Sequence, residues 1–323
     1  MGTEQIDLSN EHIRHELAGL LNACEDREPL FHRQISTDEL PSLLTDLAAF
    51  QLEGQIWRNS SGVAEAFGYL RSFHVNGAVN SDLRFFVDPA IWNDAREGTI
   101  FDWGMKLAQA GQAEHGCEVW LYSDCLPTSI WRKAALECQG FAPIRYYYQL
   151  ERPLQAPIPS VECPAGYRIR PVKAPADLPA WVDLFNAAYG GQWNYVPTTV
   201  EAQAALRQDQ RYCNRYDLLV VNSTGTPVAF CLGFVLSRGG SPTGWVLEIG
   251  TQPALRNLGL GRTLLAALLR RFQEDDLATV RLAVDGENPS GAKRLYENLG
   301  FTAISSEIVY GLRLASGPQL ASG

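Results

Sequence analysis

A short glycine-containing segment has the residue types and spacing best suited to chemistry. It reads Arg-x-x-Gly-x-Gly from Arg256 to Gly261, follows an apolar run from Trp245 to Thr251, and precedes an amphipathic run. A strand that ends in such a turn directs several backbone N–H groups at one point, and the following helix adds the positive end of its dipole. Because glycine has no Cβ, an anion can approach the main chain closely. The segment therefore predicts a pyrophosphate-binding turn.

Two familiar phosphate-binding loops do not fit this segment. The dinucleotide fingerprint Gly-x-Gly-x-x-Gly needs a third glycine, and this chain has Leu264 at that position. The nucleoside-triphosphate loop needs Gly-Lys-Ser or Gly-Lys-Thr after a longer gap, which the chain does not have here. Taken alone, the turn is also compatible with an ordinary connection between a strand and a helix.

A second motif follows downstream. Asn288 comes after a predicted strand from Thr279 to Val284, and the motif Leu-Tyr-Glu-x-x-Gly-Phe ends at Phe301, before a last strand from Glu307 to Leu314. The two motifs, in this order and spacing over roughly residues 165–315, resemble the GNAT superfamily of acyl-CoA-dependent N-acetyltransferases. The resemblance is specific for fold and cofactor and weak for substrate.

The resemblance implies a binding site for acetyl-CoA. Arg256 and Arg262 flank the turn and can supply charge-assisted hydrogen bonds. Splaying of the preceding strand from the next would open a slot, and its main chain would bind the pantetheine arm and donate an N–H to the thioester oxygen. Asn288 would bind pantetheine or cap the next helix, with Pro289 in its first turn. The implied binding residues are Ile249, Gly250, Thr251, Arg256, Asn257, Leu258, Gly259, Leu260, Gly261, Arg262 and Asn288.

Tyr296 and Glu248 are the predicted catalytic residues. Tyr296 matches the position of the family's usual general acid, and a phenol suits donation to a departing thiolate. Its alternative role is to pack against Phe301. Glu248 is a carboxylate within an apolar strand, and burial there would raise its pKa to suit a general base.

The prediction of Glu248 as the base has an alternative. Many members of the family carry their glutamate three residues earlier, where this chain has Trp245. Strand alternation puts Trp245 and Glu248 on opposite faces, and only a bulge would change that. An exposed or ion-paired Glu248 is therefore the alternative, and Asp285 is a weaker substitute for the base.

The two halves of the sequence repeat one another at a near-constant separation. Ala66-Phe67 corresponds to Ala229-Phe230, Pro89-Ala90 to Pro253-Ala254, and Gly140-Phe141 to Gly300-Phe301. This predicts an α/β fold of two tandem GNAT-like domains, each with a mixed, mostly antiparallel sheet flanked by helices. In the second half, apolar residues recur at helical spacing, which predicts a helix face packed in the core: Leu260, Leu264, Leu265, Leu268, Leu269 and Phe272.

The predicted boundaries are 1–152 for a degenerate copy, 153–165 for a proline-rich linker, 166–315 for the catalytic domain and 316–323 for a flexible tail. The first copy has the segment 93–98 in place of the glycine turn, with Asp94 and Glu97 where a pyrophosphate would lie. Leu136 corresponds to Tyr296. The first copy is therefore expected to have lost the chemistry and to bury part of the second.

Composition limits the classes of partner. The chain has 323 residues, 46% hydrophobic and 20% charged, with a net charge of −9, which argues against nucleic acid or an anionic membrane. No apolar run suits a membrane span, and the polar start does not read as a signal peptide. The seven cysteines contain no Cys-x-x-Cys motif, which predicts buried free thiols in a cytoplasmic protein. No metal site is expected, because His12 and His15 have no further ligands nearby.

The predicted function is acetyl-CoA-dependent N-acetylation of a primary amine on a small molecule, by direct transfer in the C-terminal domain of a monomer or homodimer. Residues 183–193 and 197–212 fall where the family's first helices close over the acceptor, so they would set specificity or pack between domains. One alternative is a non-catalytic acyl-CoA-binding or interaction protein, favoured by Trp245. Another is an acetyltransferase acting on protein or peptide amines.

Overall fold

The computed structural model describes residues 3–27, 35–38, 40, 51–75, 77–91, 94–115, 117–209, 211–238, 241–288 and 291–314. The chain divides into two compact units. Unit 1 comprises Met1–Arg145 and Glu307–Gly323, and unit 2 comprises Tyr146–Ser306.

Unit 1 is a sheet with helices packed on it. Its described strands are β1 (Thr3–Gln5), β2 (Gln51–Arg58), β3 (Ala64–Val75), β4 (Ala78–Val87), β5 (Glu118–Cys125) and the end of β12 (Thr302–Leu314), adjacent in that order. Strands β4 and β5 are parallel and the other neighbours are antiparallel. Its described helices are α1 (Glu11–Arg27), α2 (Asp94–His115) and α3 (Ile130–Cys138).

Unit 2 repeats this plan. Its described strands are the end of β6 (Ala142–Pro153), β7 (Arg168–Pro171), β8 (Asp217–Val221), β9 (Pro227–Arg238), β10 (Ser241–Thr251) and β11 (Thr279–Asp285). They lie in the order β6-β11-β10-β9-β8-β7, and only β10 and β11 are parallel. Its described helices are α4 (Leu178–Tyr189), α5 (Val200–Leu206), α6 (Leu260–Glu274) and α7 (Ala292–Glu297). The predicted fold class is therefore confirmed.

Helix α6 builds the core on one face of the unit 2 sheet. All six residues of the predicted stripe are buried, as core packing requires. The ring of Phe272 packs against Gly233 and Gly244, where an added Cβ would come within 2.7 and 2.8 Å of it. The helix begins at Leu260, because Asn257 and Gly259 have left-handed φ values of 68° and 82°. Helix α4 packs on the opposite face.

Each unit takes its last strand from the other half of the sequence. In unit 2, residues 147–153 of β6 pair antiparallel with β11. In unit 1, residues 308–314 of β12 pair antiparallel with β5. The expected boundary after residue 152 therefore differs from the compact units, because backbone hydrogen bonds carry β6 into unit 2 and the end of β12 into unit 1.

The proline-rich segment, predicted as a linker, is bound within unit 2. The buried guanidinium of Arg152 donates from Nη2 to the main-chain oxygens of Ala156 (3.0 Å) and Pro157 (2.9 Å). Arg270 donates to the oxygen of Pro159 over 2.8 Å. Prolines leave these carbonyls without neighbouring N–H donors, and arginine side chains satisfy them instead. The predicted tail, 316–323, lies outside the described residues.

The cysteines agree with the sequence in part. All seven are free thiols, as predicted, but only Cys24, Cys125 and Cys231 are buried, whereas Cys138 and Cys213 are exposed. Among the residues that the structure describes, no helix is long and apolar enough to cross a membrane.

The exchange of strands predicts how fragments behave. We expect fragment 146–306, which follows the compact unit, to unfold at a higher temperature than fragment 166–315, which follows the sequence repeat. The second fragment lacks the strand that pairs with β11 and keeps residues 307–314 without their partner β5. Circular dichroism melts and gel filtration of the two fragments test this. Equal melting temperatures and equal solubility would contradict it.

Candidate functional site

Strand β10 contains one residue more than its partner β9. Val246 lies opposite Gly233 and Glu248 lies opposite Leu232, so Leu247 is a bulge without a partner of its own. Trp245 lies opposite Phe234. Since Leu232 and Phe234 point to the same face of β9, Glu248 and Trp245 also share that face. The bulge thus brings Glu248 to the face that carries the family's usual glutamate position.

The carboxyl group of Glu248 is enclosed. Its side chain is half-buried, and its Oε2 atom is inaccessible and has no hydrogen-bond partner among the described residues. Burial raises the pKa of Glu248 to about 8, with the Arg207 charge opposing the shift and the Asp217 charge adding to it. The expected raised pKa is therefore present, and neither an exposed nor an ion-paired carboxylate is seen.

A slot opens between β10 and β11. Only Gly244 and Trp245 of β10 are paired with β11, opposite Val280 and Arg281. Beyond Trp245 the edge of β10 has no strand partner on that side, because the bulge bends it away. The expected splaying of the two strands is present. The main-chain groups of β10 beyond Trp245 are the ones that could pair with an extended ligand.

The glycine turn leads into the first turn of α6. Gly259 has φ 82° and forms the N-cap of the helix, and its oxygen accepts the N–H of Thr263 over 3.0 Å. The N–H groups of Leu260, Gly261 and Arg262 precede this first intrahelical bond and point out of the helix end. Arg262 is exposed beside them. This arrangement suits a bound pyrophosphate by hydrogen bonding, dipole and charge.

Three of the remaining predicted binding residues, Arg256, Asn257 and Gly250, also have structural roles. Arg256 donates from Nη2 to the oxygen of Ala188 at the end of α4 over 2.8 Å, although the residue is otherwise exposed. Asn257 supplies a left-handed turn (φ 68°), and Leu258 stays 48% exposed. Gly250 packs so closely under Phe230 that an added Cβ would lie 2.5 Å from its ring.

The residues around α7 differ from expectation at the helix start. Gly291, with φ 69°, forms the N-cap of α7, so Asn288 does not cap this helix. That alternative is wrong because the helix begins later than the sequence indicates, and Pro289 lies outside the described residues. Asn288 is half-buried, and its oxygen accepts the N–H of Gly291 over 3.3 Å. Asp285 is engaged in a turn, where its Oδ1 accepts the N–H of Glu287 over 2.9 Å.

Tyr296 is buried on α7. Its ring stands edge-on to Phe301, with centroids 6.0 Å apart, so the core-packing role is present. Burial raises the pKa of the phenol above its ordinary value of 10.0, which keeps the hydroxyl protonated throughout the physiological range. A protonated phenol is the form that a general acid requires.

The sequence did not reveal the position of Tyr189 in this site. Its hydroxyl lies 3.3 Å from the oxygen and 3.4 Å from the nitrogen of Ile249, on the main chain of β10. Burial and the nearby Glu248 and Tyr296 groups raise its pKa well above 10.0. The ring stacks on Phe185 with centroids 4.5 Å apart. Tyr189 therefore holds the main chain that the resemblance assigns to the thioester.

The corresponding strands of unit 1 stay together over a longer stretch. Strands β4 and β5 are paired over five residues, and the hydroxyl of Ser123 then donates to the oxygen of Leu83 over 2.8 Å. Arg84 forms an ion pair with Asp124 beyond that point. Side chains of Asp94 and Glu97 lie outside the described set. In unit 1 these bonds join strands whose counterparts in unit 2 splay apart.

The chain resembles known acetyltransferases in sequence. Residues 178–301 match the acetyltransferase (GNAT) family. The mycothiol acetyltransferase of Frankia alni is 32% identical over 261 residues, which cover 75% of this chain and 74% of that protein. The chain therefore belongs to the GNAT acetyltransferase family.

Other similarities are more limited. The mycothiol acetyltransferase of Thermomonospora curvata is 32% identical over 193 residues, and the match spans 62% of its length, less than two thirds. A solved tandem GNAT protein from the clavulanic acid biosynthesis pathway has a TM-score of 0.73 and 16% identity, covering 98% of this chain and 99% of that one. At this identity the structural match shows the fold alone.

Gly261 provides a test of the binding turn. We expect Gly261→Glu to abolish binding of CoA, because it places bulk and negative charge at the first turn of α6. The fold should tolerate the change, since an added Cβ there meets only ordinary contacts, the nearest at 3.5 Å. Gly98→Glu in α2 is the matched control, since an added Cβ there meets nothing within 4 Å. Calorimetry should give one site per chain for the parent and the control, and none for Gly261→Glu. Two comparable sites in the parent would contradict a single binding unit.

Proposed function

We propose that this protein transfers the acetyl group of acetyl-CoA directly to a primary amine of a small molecule, in unit 2. One observation carries the proposal: the enclosed carboxyl of Glu248, with its pKa raised to about 8, lies on the bulged strand that borders the slot. The ionised form of such a carboxyl can accept a proton from an ammonium group, and that form predominates above about pH 8.

The residues of the turn and slot fit acetyl-CoA. The N–H groups of Leu260, Gly261 and Arg262 would bind the pyrophosphate, and Arg262 would add positive charge. The main chain from Ile249 to Thr251 would bind the pantetheine arm, with Asn288 at its side. When bound, acetyl-CoA supplies the activated acetyl thioester.

Two side chains would carry the protons. Glu248 accepts the proton that the amine loses, directly or through water, which leaves a nucleophilic neutral amine. The N–H of Ile249, now directed at the Tyr189 hydroxyl, stabilises negative charge on an acyl oxygen. Tyr296 donates its hydroxyl proton to the departing thiolate, and its burial keeps that proton in place until then.

We further propose that unit 1 is the degenerate copy. Three observations support this: the five-residue pairing of β4 with β5, the bond from Ser123 to Leu83, and the ion pair of Arg84 with Asp124. They hold β4 and β5 together over a longer stretch than the two paired residues of β10, which narrows the opening that a pantetheine arm would need. The negative charges of Asp94 and Glu97 in the sequence oppose a pyrophosphate there.

The acceptor is proposed from the relatives. Several proteins similar to this chain are named mycothiol acetyltransferase, which favours the amine that yields mycothiol on acetylation. The free state of all seven cysteines supports a cytoplasmic location, and we propose a monomer or homodimer. The competing function is a non-catalytic acyl-CoA-binding protein, which Trp245 and the Tyr189 contact with Ile249 favour.

Thiol release tests the proposed function. The protein is incubated with acetyl-CoA and a panel of small amines, the amine precursor of mycothiol, and peptides with free N-termini. We expect thiol release and a matching acetylated product for a small amine. Binding of CoA in calorimetry without thiol release on any amine would establish the non-catalytic alternative, and release with peptides alone would redirect the substrate class.

Tyr296→Phe tests the acid. The variant removes the proton donor and keeps the ring against Phe301, so kcat should fall by ~10²–10⁴-fold with CoA affinity and melting temperature unchanged. Steady-state kinetics, calorimetry and a thermal melt measure the three quantities. Full activity of the variant on the best amine would return Tyr296 to a packing role.

Glu248→Gln tests the base. Glu248 accepts a proton only when ionised, so log kcat/KM of the parent should rise through about pH 8 and level above it. The variant keeps the size and hydrogen bonding of the side chain but should lose this rise in the pH profile. Any rise that remains would then be set by the pKa of the substrate amine. If rate and pH profile both persist, the amine loses its proton to solvent and Glu248 has no chemical role.

A further inference from the structure

A buried ion pair lies on the same face of the unit 2 sheet as Glu248. Arg207 follows α5, and Asp217 begins β8. The Nε atom of Arg207 donates to Oδ2 of Asp217 over 2.9 Å, and the two side chains are 2% and 0% exposed. Replacing such a pair by apolar residues is often neutral or stabilising, so its presence does not follow from stability alone.

Both charges are fixed in position. Arg207 also donates from Nη1 to the main-chain oxygen (3.0 Å) and to Oε1 (2.9 Å) of Gln203, and its guanidinium lies 4.7 Å from the Trp181 ring. The hydroxyl of Tyr212 donates to Oδ2 of Asp217 over 3.1 Å. Neither charge can therefore turn away into solvent.

The strand register aligns the pair with Glu248. Asp217 lies opposite Leu232 on β9, and Leu232 lies opposite Glu248 on β10. Cross-strand partners point to the same face, so Asp217, Leu232 and Glu248 form one row across three strands. Each charged member of the cluster keeps an enclosed polar atom without a hydrogen-bond partner among the described residues: Arg207 Nη2, Asp217 Oδ1 and Glu248 Oε2.

We propose that Arg207 and Asp217 are positioning residues for the transfer reaction, whose fixed and opposed charges set how readily Glu248 takes up and releases a proton. The proposal rests on the proposed function, in which Glu248 is the base. It assigns the pair no contact with the acceptor or with acetyl-CoA.

No other described group supplies charge to Glu248 near neutral pH. Among the other titratable groups, Tyr189 of α4 interacts with Glu248, whereas Cys231 of β9 and Tyr296 of α7 belong to the core on the α6 side. Burial raises the pKa of each of these three groups above its ordinary value, so all three stay neutral near pH 8. Arg207 lowers the pKa of Glu248 and Asp217 raises it, and the two effects are the charge contributions that Glu248 receives.

The two charges can be removed separately with opposite results. In Asp217→Asn the positive charge of Arg207 remains and still finds an oxygen acceptor, so the pKa of Glu248 should fall. In Arg207→Met the favourable positive charge is gone, so the pKa of Glu248 should rise. The two substitutions should therefore move the Glu248 pKa in opposite directions, which a general loss of packing would not do.

The titration of Glu248 itself is the test. The full-length protein is labelled with ¹³C at the glutamate side-chain carboxyl, and the Glu248 signal is assigned by its loss in Glu248→Gln. We expect a midpoint of about 8 in the parent, a lower midpoint in Asp217→Asn, and a higher one in Arg207→Met. Arg207→Lys, which keeps the charge, should stay near the parent. Asp209→Asn, which removes a carboxylate from the separate ion pair with Arg211, is the matched control and should shift nothing.

The outcomes separate this proposal from the proposed function. Midpoints that coincide in the parent and both variants, or that move in the same direction, overturn the role of the pair even if the enzyme is active. If Arg207→Met does not fold, the double variant Arg207→Met/Asp217→Leu removes both charges, and its midpoint should still exceed that of Asp217→Asn. Opposite NMR shifts with no movement of the kcat/KM limb would show that the pair controls the pKa of Glu248 but would reject Glu248 as the base, and with it the positioning role of the pair in the transfer.

Discussion

The extra residue at Leu247 is the constraint on which the site depends. Without it, strand alternation would turn Glu248 to the α6 face, into a core of leucines and Phe272 that offers a carboxyl no partner. With it, Glu248 reaches the α4 face, and the pairing of β10 with β11 stops at Trp245. One bulge thus sets the face on which the Glu248 carboxyl lies and accompanies the end of the β10–β11 pairing, so the two features are linked through one residue.

The two faces of the unit 2 sheet differ in the residues that they bury. The α6 face is apolar and closely packed, with Phe272 seated on two glycines, and it supplies the burial that stabilises the unit. The α4 face carries the buried charges of Arg207, Asp217 and Glu248, which burial makes costly. The apolar core on one side offsets the cost of burying these polar groups on the other.

The sequence predicted what local pattern determines. The two motifs gave the family, the leucine stripe gave α6, and the repeats gave two similar units. It predicted less where distant segments meet. Nothing local marks Leu247 as a bulge, and Arg207 and Asp217 meet only through tertiary packing. Tyr189 lay in a segment expected to set specificity or pack between domains, but its contact with the main chain of Ile249 was not foreseen. The start of α7 was misjudged because the left-handed Gly291, not Asn288, precedes it.

The exchange of last strands also determines which unit can finish folding first during synthesis. Chains leave the ribosome from the N-terminus, and early domains usually fold first. Here β5 of unit 1 pairs with residues 308–314, which are made only after every strand of unit 2. The unit that begins first is therefore completed last, and an open strand edge persists on the nascent chain while the whole of its neighbour is translated.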